Sequence, residues 1–207
     1  PVLYNFHRGS SWRVRIALAL KKIDYEYKAV NIDKGEQFTK EYEKINPNNE
    51  IPTLQIDGFS LMQTMPIIEY LDETRPYEPK LLPTDSYKRY KARSIAEIIN
   101  SGMHPYQKTI KRLVNETQEE KYKKIELLTR KAFRTIESIL SETSGQYCVG
   151  DCITIADIYL VPAVHSARFQ KIDLNEYPNI SRIIDHLNQL PEVIKTHPKN
   201  QIDYHQA

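Results

Sequence analysis

Apolar residues fall in short alternating runs in the first third of the chain and in helical spacing beyond it. Val2, Leu3 and Tyr4 make a short buried-strand pattern that closes in the turn His7-Arg8-Gly9-Ser10-Ser11. Residues 12–21 carry Val14, Ile16, Ala17, Leu18 and Leu20 at helical positions, and Ser10 or Ser11 stands where a helix cap belongs. Residues 25–30 alternate as a strand, and residues 36–45 read as a short polar helix ended by Asn46-Pro47. A strand at 51–54, a hairpin turn at Asp57-Gly58, a second strand at 59–62 and a helix through 65–71 follow. The order β-α-β-α-β-β-α predicts a mixed sheet with helices on its faces.

Pro76, Pro79 and Pro83 mark a linker over residues 76–85, where the strand signals stop. Beyond it the periodicity is helical: 87–101, 118–141, 154–164, 177–189 and a short piece after Pro191. Thr154-Ile155-Ala156-Asp157 has capping-box spacing with Asp in the place of Glu, and predicts a buried helix start. The expected organisation is an α/β domain over residues 1–79 and an all-α domain over 86–207.

Composition narrows the function classes. The formal charge of +2, from 29 basic and 27 acidic residues, gives no basis for nucleic-acid or membrane binding. Lys121-Tyr122-Lys123-Lys124 is flanked by Glu119, Glu120 and Glu126 and reads as a solvated helix face. The two cysteines, Cys148 and Cys152, are spaced C-x3-C, which is not a dithiol redox motif, and suggest a reducing compartment. The apolar run at 16–20 is too short for a secretory or membrane segment, so a cytoplasmic protein is expected. The histidines lack metal-ligand spacing, and no metal is expected.

One segment points to chemistry. A proline between polar Glu50 and an apolar strand is a place where a cis bond would turn the backbone outward to meet a peptide. The helix that starts at Gln63-Thr64 presents free amides that favour an anion, and these two side chains add donors and acceptors. Together they suit a small anionic peptide.

The chain resembles the cytosolic glutathione transferases, and most closely their zeta class, which includes maleylacetoacetate isomerase. The signatures are residues 12–21 (Trp-Arg-Val-Arg-Ile-Ala-Leu-Ala-Leu-Lys), Asn46-Pro47, Ile51-Pro52-Thr53-Leu54 and Ile67-Ile68-Glu69-Tyr70-Leu71. Glu73-Thr74-Arg75-Pro76, Leu81-Leu82-Pro83, Tyr147-Cys148-Val149-Gly150-Asp151, Ala167-Arg168-Phe169 and His197-Pro198 extend the resemblance over nearly the whole chain. It implies a thioredoxin-like N-terminal domain that binds glutathione, an all-α C-terminal domain that lines the substrate site, and a homodimer. It also implies that the Ile51 backbone pairs with the cysteinyl part of glutathione beside a cis Pro52. Gln63 and Thr64 would hold the γ-glutamyl end, and Gln37 the glycine end. Asn49 and Glu50 stand where the class often has a basic or amide pair.

The turn before Trp12 departs from the class pattern Ser-Ser-Cys-Ser, whose first serine bonds the glutathione thiolate. This chain is one residue shorter between Tyr4 and Trp12, and either Gly9 or Arg8 occupies the place of that serine. Ser10 or Ser11 could supply the hydroxyl, with the helix start and Arg8, Arg13 and Arg15 as nearby positive charge. Arg13 could equally help bind a dianionic substrate. On the substrate side, Arg168 matches a class arginine proposed to hold a carboxylate. His104 stands in the place of a glutamine, with Gln107 nearby.

Three functions are therefore open. The first is cis-trans isomerisation of maleylacetoacetate, with or without glutathione transfer to small electrophiles such as α-haloacids. The second is a detoxifying transferase without isomerase activity. The third is a non-catalytic glutathione-binding or interaction module.

Overall fold

The computed structural model describes residues 1–204. Contacts divide the chain into two compact units: Pro1–Leu81 together with 190–204, and Leu82–Gln189. The division after Leu81 falls inside the 76–85 segment, and the segment from Leu190 onward belongs to the first unit instead of staying with the helical residues before it. Its last three residues lie outside those described.

The first unit is built on a four-stranded mixed sheet in the order β2-β1-β3-β4. Its strands are β1 (Val2–Asn5), β2 (Glu26–Ala29), β3 (Thr53–Ile56) and β4 (Phe59–Met62). β1 runs parallel to β2 and antiparallel to β3, with Leu3 opposite Leu54, and β3 and β4 form the hairpin over Asp57-Gly58. Gly58 at φ 82° and Asp57 at φ 53° fit a type I′ turn, the hand that matches strand twist.

Helix α1 (Ser10–Leu20) is buried on nearly every side, so it is a central element rather than a surface helix. Two of its charged residues are buried with it. Arg15 is fully buried, and its guanidinium donates to Asn5 Oδ1, the Phe6, His7 and Thr196 carbonyls. Lys21, at the end of α1, is also fully buried: its Nζ lies 2.7 Å from Asp72 Oδ1 and donates to the carbonyls of Arg75, Tyr77 and Pro79. Asp72 belongs to α3 (Thr64–Thr74), and its carboxylate also accepts the Leu81 N–H at 2.9 Å.

The helix expected at 36–45 is interrupted. A 3₁₀ turn at Glu36–Phe38 is followed by α2 (Lys40–Glu43), because Thr39 adopts extended backbone and its hydroxyl caps the Tyr42 N–H. A threonine that bonds its own backbone offers an alternative to continued helix.

The second unit is helical: α4 (Ser86–Asn100), α5 (His104–Lys111), α6 (Gln118–Thr143), α7 (Ile155–Phe169) and α8 (Pro178–Leu187). Four match the expected helices to within a few residues. α5 was not expected: it is only eight residues long and exposes most of its surface. α7 is buried through most of its length and begins at the Thr154–Asp157 box. Fully buried Asp157 accepts the N–H groups of Cys148 and Thr154. Cys148 is buried beside it and burial pushes its thiol up, whereas Cys152 is exposed.

The last helix, α9 (Pro191–Thr196), packs on α1 in the first unit. The reason is local: Trp12 Nε1 donates to Thr196 Oγ1 at 3.1 Å, and Arg15 takes the Thr196 carbonyl. A buried indole N–H and a buried guanidinium both need acceptors, and α9 supplies them.

Candidate active site

Ile51-Pro52 is a cis peptide bond, as the sequence suggested. Tyr42 Oη and Asn46 Nδ2 hold the Glu50 carbonyl and meet at Thr53 Oγ1, so the proline is fixed from both sides. Ile51 is only partly buried, and its N–H donates to no acceptor among the described residues. A backbone donor left open at a rigid turn can pair with an extended peptide.

Two helix starts belong to the same unit. α1 begins after Gly9 and α3 after Gln63; neither has a side-chain cap or an acidic residue in its first turn. By contrast α2, α4 and α6 are capped by Thr39, Asp85 and Thr117. Uncapped amides with no competing carboxylate favour an anion. Gln63 has φ 71° and ψ 124°, an outlier for a residue with a side chain, and such strain of about 1–3 kcal/mol collects at functional positions. Its side chain is exposed while Thr64 is buried. Gln37 is buried in the 3₁₀ turn with an Oε1 that lacks a partner, and Asn49 Oδ1 is likewise buried and unpaired. Both amide oxygens are polar capacity that the fold itself leaves unused, as is His7 Nδ1 in the same unit.

The two serines separate clearly. Ser11 is fully buried and its Oγ accepts the Phe6 N–H at 3.2 Å, so it joins α1 to the end of β1. Ser10 is half-buried, and its hydroxyl donates to the Ile51 carbonyl at 3.2 Å. Ser10 therefore lies against the cis proline turn, while the geometry gives Ser11 an internal task rather than the expected catalytic one. Gly9 has φ 70° and ψ −142°, a conformation that glycine adopts readily and serine does not. The shortened turn thus explains why no serine stands there.

The expected local cations are differently employed. Arg8 is half-exposed and makes a bidentate pair with Asp33 at 2.7 and 2.8 Å. Arg15 is consumed by strand and turn carbonyls. Arg13 is 3 % exposed, which does not favour contact with a dissolved dianion. Of the expected sources of positive charge, the α1 helix start is the one with no side-chain cap or neighbouring carboxylate in its first turn.

In the helical unit, His104 opens α5 and is partly buried. Gln107 is 5 % exposed and its Nε2 donates to Thr129 Oγ1 at 2.8 Å, tying α5 to α6. That internal bond speaks against the expected substrate contact of Gln107. Arg168 lies in the last turn of α7, nearly half its side chain exposed, with one 3.3 Å contact to Asp185. Burial lowers the pKa of neighbouring His165, and the Arg168 charge lowers it further.

Sequence reading passed over two residues. Asp203 accepts the His7 N–H at 3.0 Å through Oδ2 and the Tyr27 hydroxyl at 2.6 Å through Oδ1. Nothing in the local sequence signals this, because the bond to His7 spans nearly the whole chain. Among the described residues, no cluster of three His, Cys, Asp or Glu side chains could hold a metal, and no helix is long and apolar enough to cross a membrane.

Comparison with known proteins identifies the family of this fold. The family models for the glutathione S-transferase N-terminal and C-terminal domains match residues 10–74 and 103–197. Maleylacetoacetate isomerase of Mus musculus is 45 % identical over 208 residues, covering 98 % of this chain and 94 % of that protein. The holo structure of maleyl pyruvate isomerase, a bacterial zeta-class glutathione S-transferase, superposes with a TM-score of 0.93 at 33 % identity, covering 98 % and 99 % of the two chains. Maleylacetoacetate isomerase of Anaeromyxobacter dehalogenans, with dicarboxyethyl glutathione and citrate in its active site, has a TM-score of 0.87 at 34 % identity, covering 98 % and 96 %. This chain belongs to the zeta class of the glutathione transferases, the maleylacetoacetate isomerase family.

Proposed function

We propose that this protein is a glutathione-dependent enzyme that converts maleylacetoacetate to fumarylacetoacetate, and that it also transfers glutathione to small electrophiles such as α-haloacids. The observation that carries this reading is the Ser10 hydroxyl, held 3.2 Å from the Ile51 carbonyl beside the cis Pro52. Bound glutathione supplies a thiolate that adds to the cis double bond, allows rotation about the resulting single bond and leaves from the trans product. The dicarboxyethyl adduct in the Anaeromyxobacter relative is a glutathione sulfur bonded to a diacid carbon skeleton, which is the connectivity such an addition creates.

The residues of this chain divide the remaining work. The open Ile51 N–H and its carbonyl pair with the cysteinyl unit of the peptide. As they do so, the Ser10 hydroxyl exchanges the Ile51 carbonyl for the sulfur. A free thiol titrates at about 8.5, so a hydroxyl donor and the α1 helix start must favour the thiolate near neutral pH. The α3 helix start, Gln63 and Thr64 hold the γ-glutamyl group, and the unused amide of Gln37 meets the glycine end. Orientation and anion stabilisation are what the protein adds to a nucleophile that glutathione already carries.

Residues 1–79 form the glutathione-binding part and the helical residues 86–189 the substrate part, where Arg168 takes a substrate carboxylate in place of Asp185. His104 contributes an imidazole that can hydrogen-bond. A homodimer and a cytoplasmic setting accompany this reading on the family's account.

The test is isomerisation of a maleylacetone-type substrate by purified protein with glutathione, beside the Ser10→Ala variant. Loss of one donor aimed at developing charge lowers kcat by about a hundredfold. A wild-type rate no higher than glutathione alone would sink the proposal. An unchanged rate in Ser10→Ala would remove Ser10 from it.

A further inference from the structure

The turn that carries Ser10 is held almost entirely by side chains. Phe6 N–H goes to Ser11 Oγ, the Phe6 and His7 carbonyls go to Arg15, and the His7 N–H goes to Asp203. Arg15 and Asp203 thus clamp consecutive peptide groups with opposite charges, the cation on the carbonyls and the anion on the amide. Both are buried, Asp203 with 2 % of its surface exposed. Its second oxygen is fixed by Tyr27 on β2, whose hydroxyl stays protonated because burial and the bond to Asp203 raise its pKa. A carboxylate with each oxygen bound by a separate donor has little freedom to move, and neither does the amide it holds.

We infer that Asp203 is a positioning residue for thiol activation: by fixing the His7 peptide it sets the place of Ser10 opposite the Ile51 backbone. Gly9 lies between His7 and Ser10 and has a glycine's freedom, so the turn does not hold this geometry by itself. A displacement of an ångström is enough to separate a hydroxyl from a sulfur. This inference rests on the proposal that the Ser10 turn activates glutathione.

The experiment compares wild type, Ser10→Ala, Asp203→Ala, Asp203→Asn, Tyr27→Phe and the Ser10→Ala/Asp203→Ala double variant. It measures the pKa of bound glutathione by thiolate absorbance, together with kcat, glutathione KM and melting temperature. In Asp203→Ala the bound-thiol pKa is expected to rise and kcat to fall by about tenfold to a hundredfold, with KM changed by less than about threefold. Asp203→Asn, which can still accept the His7 N–H, is expected to recover most of the activity. In the double variant the losses should not add, because Asp203 acts through Ser10. Additive losses, or a loss in kcat that follows melting temperature alone, would overturn the inference and leave Asp203 a structural residue. Should Asp203→Ala not fold, Tyr27→Phe frees one carboxylate oxygen and should shift the thiol pKa in the same direction; no shift would overturn the inference. The wild-type measurement separates the two proposals, since an undepressed thiol pKa there refutes thiol activation itself.

Discussion

Replacing Lys21 by Met removes a buried charge and leaves its partner behind. Methionine has nearly the same length and no donor, so the packing of α1 on α3 stays while four acceptors lose Nζ: Asp72 Oδ1 at 2.7 Å and the carbonyls of Arg75, Tyr77 and Pro79 at 3.1, 3.0 and 2.7 Å. Breaking a buried ion pair from one side destabilises by about 3–5 kcal/mol, chiefly through the uncompensated charge that remains. For a chain of this size 1 kcal/mol shifts the melting temperature by about 2–4 °C, so Lys21→Met should melt roughly 6–20 °C lower. The decisive comparison is Lys21→Met/Asp72→Asn. Asparagine keeps an oxygen for the Leu81 N–H and removes the stranded charge, so the double variant should regain on the order of 2 kcal/mol over Lys21→Met. Calorimetry or thermal circular dichroism reads both shifts. Limited trypsin digestion should show faster cleavage after Lys80 in Lys21→Met, because the linker carbonyls lose their common donor. A change in melting temperature below about 2 °C, or a double variant less stable than Lys21→Met, would refute this assignment of the buried pair.

Two further outcomes follow from the site and its surroundings. Ser11→Ala leaves the buried Phe6 N–H without an acceptor and should lower stability by about 1–3 kcal/mol in urea unfolding, while the bound-thiol pKa moves less than in Ser10→Ala; the reverse order would return catalysis to Ser11. Asp57 is held at a pKa of about 2 by hydrogen bonds from Arg75 and then Tyr70. A depressed folded pKa contributes stability that is present above the ordinary carboxylate pKa of about 4 and is lost as the pH falls towards 2. The group is exposed, so the contribution is small, and Asp57→Asn should flatten the acid limb of melting temperature against pH only below about pH 4. An unchanged acid limb would contradict it.

What the sequence made legible was local. The proline at 52, the hairpin at Asp57-Gly58 and the Thr154–Asp157 box each combine residue types whose backbone preferences point to one conformation, and all three appear as expected. The hidden features are those in which a polar side chain serves a distant backbone. Arg15 and Lys21 resemble surface charges on a helix until the carbonyls around them are seen. Ser10 and Ser11 are adjacent and chemically identical, and only helix phase decides that one turns to Phe6 and the other to Ile51. Gln107 looked available because the Thr129 that binds it lies on another helix. The shortness of α5, two turns with most of its surface exposed, left too few positions to read.

The return of α9 and Asp203 to the first unit has a consequence for the order of assembly. During synthesis the strands β1 to β4 are made early, yet Trp12 and Arg15 wait for Thr196, and His7 waits for Asp203, 196 residues later. Residues Leu82–Gln189 form a compact unit that is continuous in sequence and can close while the ribosome is still at work. Long-range closure of this kind slows folding. The part of the protein that is written first is therefore finished last, and a nascent chain stopped before residue 203 would carry the cis-proline turn and Ser10 without the Asp203 acceptor for the His7 N–H.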